Sequence, residues 1–242
     1  MWRSWLIALG LLTRIPVVWS GTPATPLELG RSVLYYPLVG LLIGGVLAGL
    51  AQLAGSVPDA GVAAALLLIA WIWLTGGMHL EGLADTADGW VGGLGDATRA
   101  LAILKDPRCG PFGVLALVLI VLLKWNLLRF LLSTQDWVWL LVAPLLGRVG
   151  IVALFLTLPY VRPGGMGTGA AAALPRGWGV MVCLLAVGLA SVVTPWWVVV
   201  VWGMVLWLLR AAWLRRFGGV TGDISGATCE LLETVVMTVW SF

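Results

Sequence analysis

Apolar runs long enough to cross a lipid bilayer recur from Tyr36 to the end of the chain, and they leave it few other ways to fold. A helix needs about 20 apolar residues to span the hydrocarbon core. Tyr36 to Ala54, Phe112 to Leu132, Trp137 to Leu158, Trp178 to Val193 and Trp196 to Leu214 are such runs, with a shorter one from Ala60 to Thr75. A last run ends at Phe242 and carries Asp223, Glu230 and Glu233. The expected fold is all-α: one membrane-embedded domain over residues 1–242, a polytopic bundle of about seven transmembrane helices. Trp2 to Thr13 is too short to cross and suits a helix lying in the interface. With 61% hydrophobic and 10% charged residues in 242, the lipid bilayer is the natural partner. The net charge of +3 is not gathered into basic runs with interleaved aromatics, so nucleic acid is not expected. Cys109, Cys183 and Cys229 are widely spaced and form no CxxC pair, which argues against a disulfide framework or a zinc site. No small-residue cleavage site follows the first apolar segment, so no removable signal peptide is expected.

Orientation follows from the basic residues. The N-terminal segment, loop 76–111, loop 159–177 and loop 209–223 carry three, three, two and three Lys or Arg, whereas the connections near 57, 134 and 195 carry none. Positive-inside then puts the N-terminus in the cytoplasm and the C-terminus outside, in a multi-pass membrane protein. The proline-marked loop 20–30 precedes the first span, whose Gly40, Gly44, Gly45 and Gly49 allow close helix contact. Nothing in the pattern sets the oligomeric state, a homo-oligomer included.

Against this background the run from His79 to Gly89 stands out. In a helix Glu81, Asp85 and Asp88 occupy i, i+4 and i+7, within about 60° of one another. Three like charges on one stripe repel unless a cation sits among them, and oxygen ligands alone suit a hard ion such as Mg2+. A solvated acidic face is the plainer alternative, weakened by membrane-like flanks on both sides. Lys105 and Arg108, in a turn rich in Gly and Pro, read equally as a phosphate clamp with free backbone N–H groups or as a topology-setting loop. The glycine-rich loop around Arg162, Gly165 and Gly167 is a weak phosphate-loop signal, matching neither standard pattern. Lys124 and Arg129 sit toward one end of a span and can snorkel. Arg148 lies near mid-span and calls for an acidic partner. Asp223 and Glu230 would share a helix face, with Glu233 roughly 80° away, to complete the metal site or pair with Arg148. An ordinary helix-start Asp with interfacial Glu residues is the structural alternative. The acidic stretch, the Lys105 to Arg108 turn, the glycine-rich loop and Thr221 to Asp223 all fall on the cytoplasmic side, and together they suggest Mg2+-dependent phosphoryl-group chemistry.

The motifs Leu12 to Pro16, Tyr36 to Gly40, Gly76 to Gly89, Ile103 to Gly113 and Gly219 to Asp223 resemble, in order, those of the adenosylcobinamide-GDP ribazoletransferase family of bacterial cobalamin synthases. The resemblance covers about residues 10–235. It implies an inner-membrane enzyme that uses Mg2+. The hydroxyl of alpha-ribazole, or of its 5'-phosphate, would attack the cobinamide-bound phosphorus of adenosylcobinamide-GDP and release GMP. By that resemblance His79, Asp88, Lys105 and Arg108 are candidate catalytic residues, with His79 a possible base. Arg14, Arg162, Gly165, Gly167, Thr221 and Gly222 are candidates for substrate binding, and Glu81, Asp85, Asp88, Asp223 and Glu230 for metal. Glu81 stands where the family commonly has Asp, which lengthens one arm by a methylene and keeps its charge. The Asp-x-x-Asp-Gly opening at Asp85 to Gly89 also resembles CDP-alcohol phosphotransferases, without the rest of that signature. A transporter with a coupling path through Arg148, Glu230 and Glu233 is a third reading, against which no internal repeat is found.

Overall fold

The computed structural model describes residues 2–17, 22–54, 57–165 and 167–241; Ser20 and Gly21 of the polar loop, Met166 of the glycine-rich loop and Phe242 lie outside these. In chain order the helices are α1 (Trp2–Leu12), α2 (Pro26–Ser32), α3 (Tyr36–Ala54), α4 (Ala60–Thr75), α5 (Met78–Gly92), α6 (Ala97–Ile103), α7 (Pro111–Thr134), α8 (Val138–Thr157), α9 (Gly167–Ala172), α10 (Arg176–Val193), α11 (Trp196–Phe217) and α12 (Gly222–Trp240). A single parallel bridge, Tyr160 to Val220, is the only strand-like pairing among the described residues. Five helical segments are long and apolar enough to cross a membrane, and six if α4 and α5 are counted as one broken span. The sequence counts α12 as a seventh; it is 19 residues long, but three carboxylates set it apart from the apolar spans.

Helix α8 is the axis of the bundle, with Leu140, Leu145, Leu146 and Leu154 fully buried. Close packing around it depends on missing side chains. A Cβ on Gly40 or Gly44 of α3 would collide with the backbone of Pro144 or Leu140 in α8. One on Gly147 would lie 2.8 Å from Cγ of Glu233 in α12. Pro144 has no N–H to offer the carbonyl of Leu140, and the bare Cα of Gly44 comes close to that carbonyl. The expected small-residue contact is therefore made by Gly40 and Gly44, whereas Gly45 and Gly49 face open space.

Polarity is inverted relative to a soluble domain. Leu38, Leu42, Val46 and Leu50 on α3, and Leu115, Val118, Leu119 and Leu122 on α7, are exposed, whereas Arg148 and Glu233 are wholly buried. Apolar rows facing outward around buried charge are what a bilayer demands. At the foot of α4 two successive glycines, Gly76 (φ 70°) and Gly77 (φ 69°), adopt the left-handed conformation and turn the chain by 87° into α5. Polar α5 thus runs nearly at right angles to apolar α4.

Candidate functional site

The site forms where α5 crosses the start of α12. Gly82 permits the contact, since a Cβ there would lie 2.6 Å from the carbonyl oxygen of Asp223. Thr221 caps α12, its hydroxyl accepting from the Ile224 N–H at 3.2 Å. The chain before it is stitched to the segment after α8: Val161 N–H donates to Val220 O at 3.0 Å and Val220 N–H to Pro159 O at 2.9 Å. This pairing delivers Arg162, whose guanidinium donates to Asp223 at 2.7 Å. Gly165 and Gly167 let the loop close over Tyr160, since a Cβ on either would come within 2.8 Å of the Tyr160 ring or hydroxyl.

Two cavities meet at Arg162. The first, about 360 Å³, has an apolar wall that includes Ile7, Leu12, Leu29 and Phe155 and a polar wall that includes His79, Glu81, Asp223 and Arg162. Gly167 and Gly222 also reach it. The second, about 370 Å³, is lined by Thr98, Leu101, Lys105, Arg162 and Thr221 among others. Of the sequence candidates, then, His79, Glu81, Arg162, Gly167, Gly222 and Asp223 share one cavity, and Lys105, Arg162 and Thr221 the other. The contributions of α1, α2 and α6 were not foreseen. Ile7, Leu12 and Leu29 carry no chemistry in the sequence, and only the short amphipathic pattern of α1 hints at them.

Other candidates are placed differently. Asp88 is turned to α7, where its carboxylate accepts from the backbone N–H of Gly110 at 2.7 Å and of Gly113 at 2.9 Å. Those are the helix N-terminal amides that the sequence offered to a phosphate, and the anion they hold is this carboxylate. Each Asp88 oxygen keeps a further lone pair, but the group's first task is to cap α7. Arg108 is engaged with its neighbour: Nε donates to Asp106 Oδ1 at 2.9 Å and Nη2 to Oδ2 at 2.6 Å. That contact holds the Asp106 carboxyl down to about 2, and Arg108 lies exposed and lines neither cavity. The phosphate-clamp reading of the turn is thus reduced to Lys105. Arg14 packs over the bend, occupying the space a Cβ on Gly76 would need, and lies outside both cavities.

Glu230 is separated from the other metal candidates. It pairs with Lys124 at 2.6 Å, which also pairs with Glu233 at 2.6 Å, while Glu233 binds Arg148. Lys124 therefore does not snorkel; it is 3% exposed and points into the bundle. Two cations and two carboxylates from α7, α8 and α12 neutralise one another, which meets the need of Arg148 for an acidic partner. Arg148 extends the network to His79, with Nη2 3.4 Å from Nδ1. A guanidinium only donates, so Nδ1 accepts and the ring proton sits on Nε2. The Nδ1 lone pair is thus engaged with Arg148, and His79 also lines the first cavity.

Asp85 completes the picture. Burial, with the charges of Asp223, Glu81 and Asp88 added, pushes its carboxyl up to about 6, while Arg162 opposes the shift. Repelling carboxylates with oxygen donors alone fit a hard divalent cation. Among the described residues no three acidic, His or Cys side chains converge on a ready-made metal site, so water and substrate oxygens would have to complete the shell.

Fold and site define a class: a helical bundle of the membrane type, with carboxylates, an arginine and two cavities gathered where α5 crosses the start of α12. A model of the cobalamin-5-phosphate synthase family matches residues 4–241. The chain is 49% identical over 238 residues to an adenosylcobinamide-GDP ribazoletransferase of Pseudomonas fluorescens, covering 96% of each chain. It is 48% identical over 235 residues to one of Pseudomonas syringae pv. syringae, with 96% of each covered, and 47% over 241 residues to one of Stutzerimonas stutzeri, with 96% and 95% covered. No solved structure matches. The chain belongs to the cobalamin-5-phosphate synthase family.

Proposed function

We propose that this chain joins adenosylcobinamide-GDP to alpha-ribazole, or to its 5'-phosphate, and releases GMP, with the site on the cytoplasmic side of the cell inner membrane. The observation that carries the reading is the meeting of Glu81 and Asp223 with Arg162 on the wall of the first cavity, Arg162 also lining the second, with Asp85 outside both cavities but within range of their charges, in a family whose relatives bear that enzyme's name. The ribazole hydroxyl oxygen forms a bond to the cobinamide-bearing phosphorus. The bond from that phosphorus to the bridging oxygen breaks, and the electron pair leaves with GMP. Glu81, on the cavity wall, takes the hydroxyl proton. Arg162 and Lys105 face the charge that gathers on the phosphates. Asp85 and Asp223, whose charges act on one another, would hold Mg2+, which when bound supplies charge neutralisation at the diphosphate. His79 donates Nε2–H to an acceptor in the first cavity.

The test is GMP release by purified protein in liposomes, given adenosylcobinamide-GDP, alpha-ribazole and Mg2+. Release should require all three and fall by roughly a hundredfold or more in Asp85→Asn and Asp223→Asn. Folded wild-type protein that releases no GMP refutes the assignment.

A further inference from the structure

The two cavities differ in a way that assigns them to different substrates. The first has a mixed lining: α1, α2 and α8 furnish aliphatic and phenyl surface through Ile7, Leu12, Leu29 and Phe155, while α5, α12 and the loop after α8 bring Glu81, His79, Asp223 and Arg162. Such a lining suits an uncharged ligand with a flat apolar ring at one end and hydroxyl groups at the other. The second cavity has no acidic residue on its wall and two cations, Lys105 and Arg162, together with the hydroxyls of Thr98 and Thr221. It suits an anion.

The two cavities are nearly equal in volume, so size bears only on what the first can enclose. At about 360 Å³ the first cavity is at the small end of ligand pockets and suits a molecule of roughly twenty non-hydrogen atoms, the size of an aromatic riboside. A macrocycle joined to a nucleoside diphosphate is several times too large. Resting on the proposed reaction, we infer that the first cavity is the acceptor site for alpha-ribazole. Its aromatic base lies against α1, α2 and Phe155, and its sugar hydroxyls face Glu81 and Asp223. The second cavity takes the phosphate portion of the donor, whose remainder lies outside it. Arg162, on both walls and paired with Asp223, stands where acceptor oxygen and donor phosphorus meet. The acceptor site is thus formed before the donor arrives.

The test is calorimetric titration of detergent-solubilised protein with alpha-ribazole alone. Leu29 is only partly buried at the cavity wall, so Leu29→Trp fills the space from its edge; Ala102→Trp does the same at the second cavity. Leu29→Trp should raise the ribazole Kd by roughly tenfold or more, and Ala102→Trp should leave it within about twofold while raising KM for adenosylcobinamide-GDP. Leu29→Ala, which opens the same wall, should also weaken binding, so one poorly folded variant does not decide the matter. Ribazole binding that ignores both Leu29 variants, binding that follows Ala102→Trp, or no saturable binding by the wild type overturns the assignment. These outcomes are distinct from failure of the reaction: wild-type turnover with unchanged ribazole affinity in the Leu29 variants removes the site and keeps the activity. Ribazole binding that behaves as expected, without GMP release, does the reverse.

Discussion

Replacing Asp88 by asparagine tests whether this carboxylate is first of all the cap of α7. In the native protein both oxygens accept a backbone N–H, from half-buried Gly110 at 2.7 Å and buried Gly113 at 2.9 Å, at a helix N-terminus. Asparagine keeps one acceptor and turns an NH2 toward the other amide, so one charge-assisted bond is lost and two donors face each other. Hydrogen bonds to a charged group are worth about 1.5–3 kcal/mol. Loss of the negative charge at the helix end adds about 0.3–1 kcal/mol. The sum, roughly 2–4 kcal/mol, corresponds to a fall in Tm of roughly 5–15 °C for a chain of this size. Thermal unfolding in detergent reads the shift, and hydrogen exchange at Gly110 and Gly113 should accelerate along with it. A variant that unfolds with the wild type and keeps both amides protected, while losing Mg2+ affinity, would show that Asp88 acts as a metal ligand and refute the capping argument.

Further expectations concern the rest of the bundle and the site. Lys124→Met leaves Glu230 and Glu233 buried with one cation between them and should destabilise by about 3–5 kcal/mol; adding Glu230→Gln should recover part of the loss, measured by the same unfolding assay. Gly44→Ala should destabilise by forcing α3 away from the Leu140 carbonyl, whereas Gly45→Ala, with open space around it, should be neutral or gain up to about 1 kcal/mol. Asp85 is raised to about 6 by burial and by neighbouring carboxylates, so its contribution is favourable while it holds its proton and is lost as pH rises from about 4 through 6. In the absence of Mg2+, wild-type Tm should therefore be higher at pH 5 than at pH 8. Asp85→Asn should abolish that difference, and a variant that retains it would sink the explanation.

The sequence reveals the bundle because apolar runs of spanning length have few other uses, and it reveals the acidic face of α5 because i, i+4 and i+7 spacing is a local property. What each acid meets is not local. Gly110-Pro111-Phe112-Gly113 reads as a helix start with amides to offer, but only the fold shows that Asp88, 22 residues earlier, fills them. Lys124 looks able to snorkel from its place in α7, and only the arrival of α12 explains why it turns inward. Glu230 shares a helical face with Asp223 in projection, yet two turns of rise separate them, enough to move one carboxylate from the cavity to the bundle centre. The cavity walls were hidden for a different reason: Leu29 or Ile7 acquires a role only through the space it encloses.

The quartet of buried charges also has a bearing on how the protein is made. Lys124 and Arg148 lie in α7 and α8, but both counter-charges, Glu230 and Glu233, lie in α12, which leaves the ribosome last of the three. Until then two cations must wait unpaired, in the aqueous insertion machinery or at a membrane defect, because hydrocarbon rejects them. A chain that stops short of α12 lacks both counter-charges and leaves a lysine and an arginine unmatched among apolar helices.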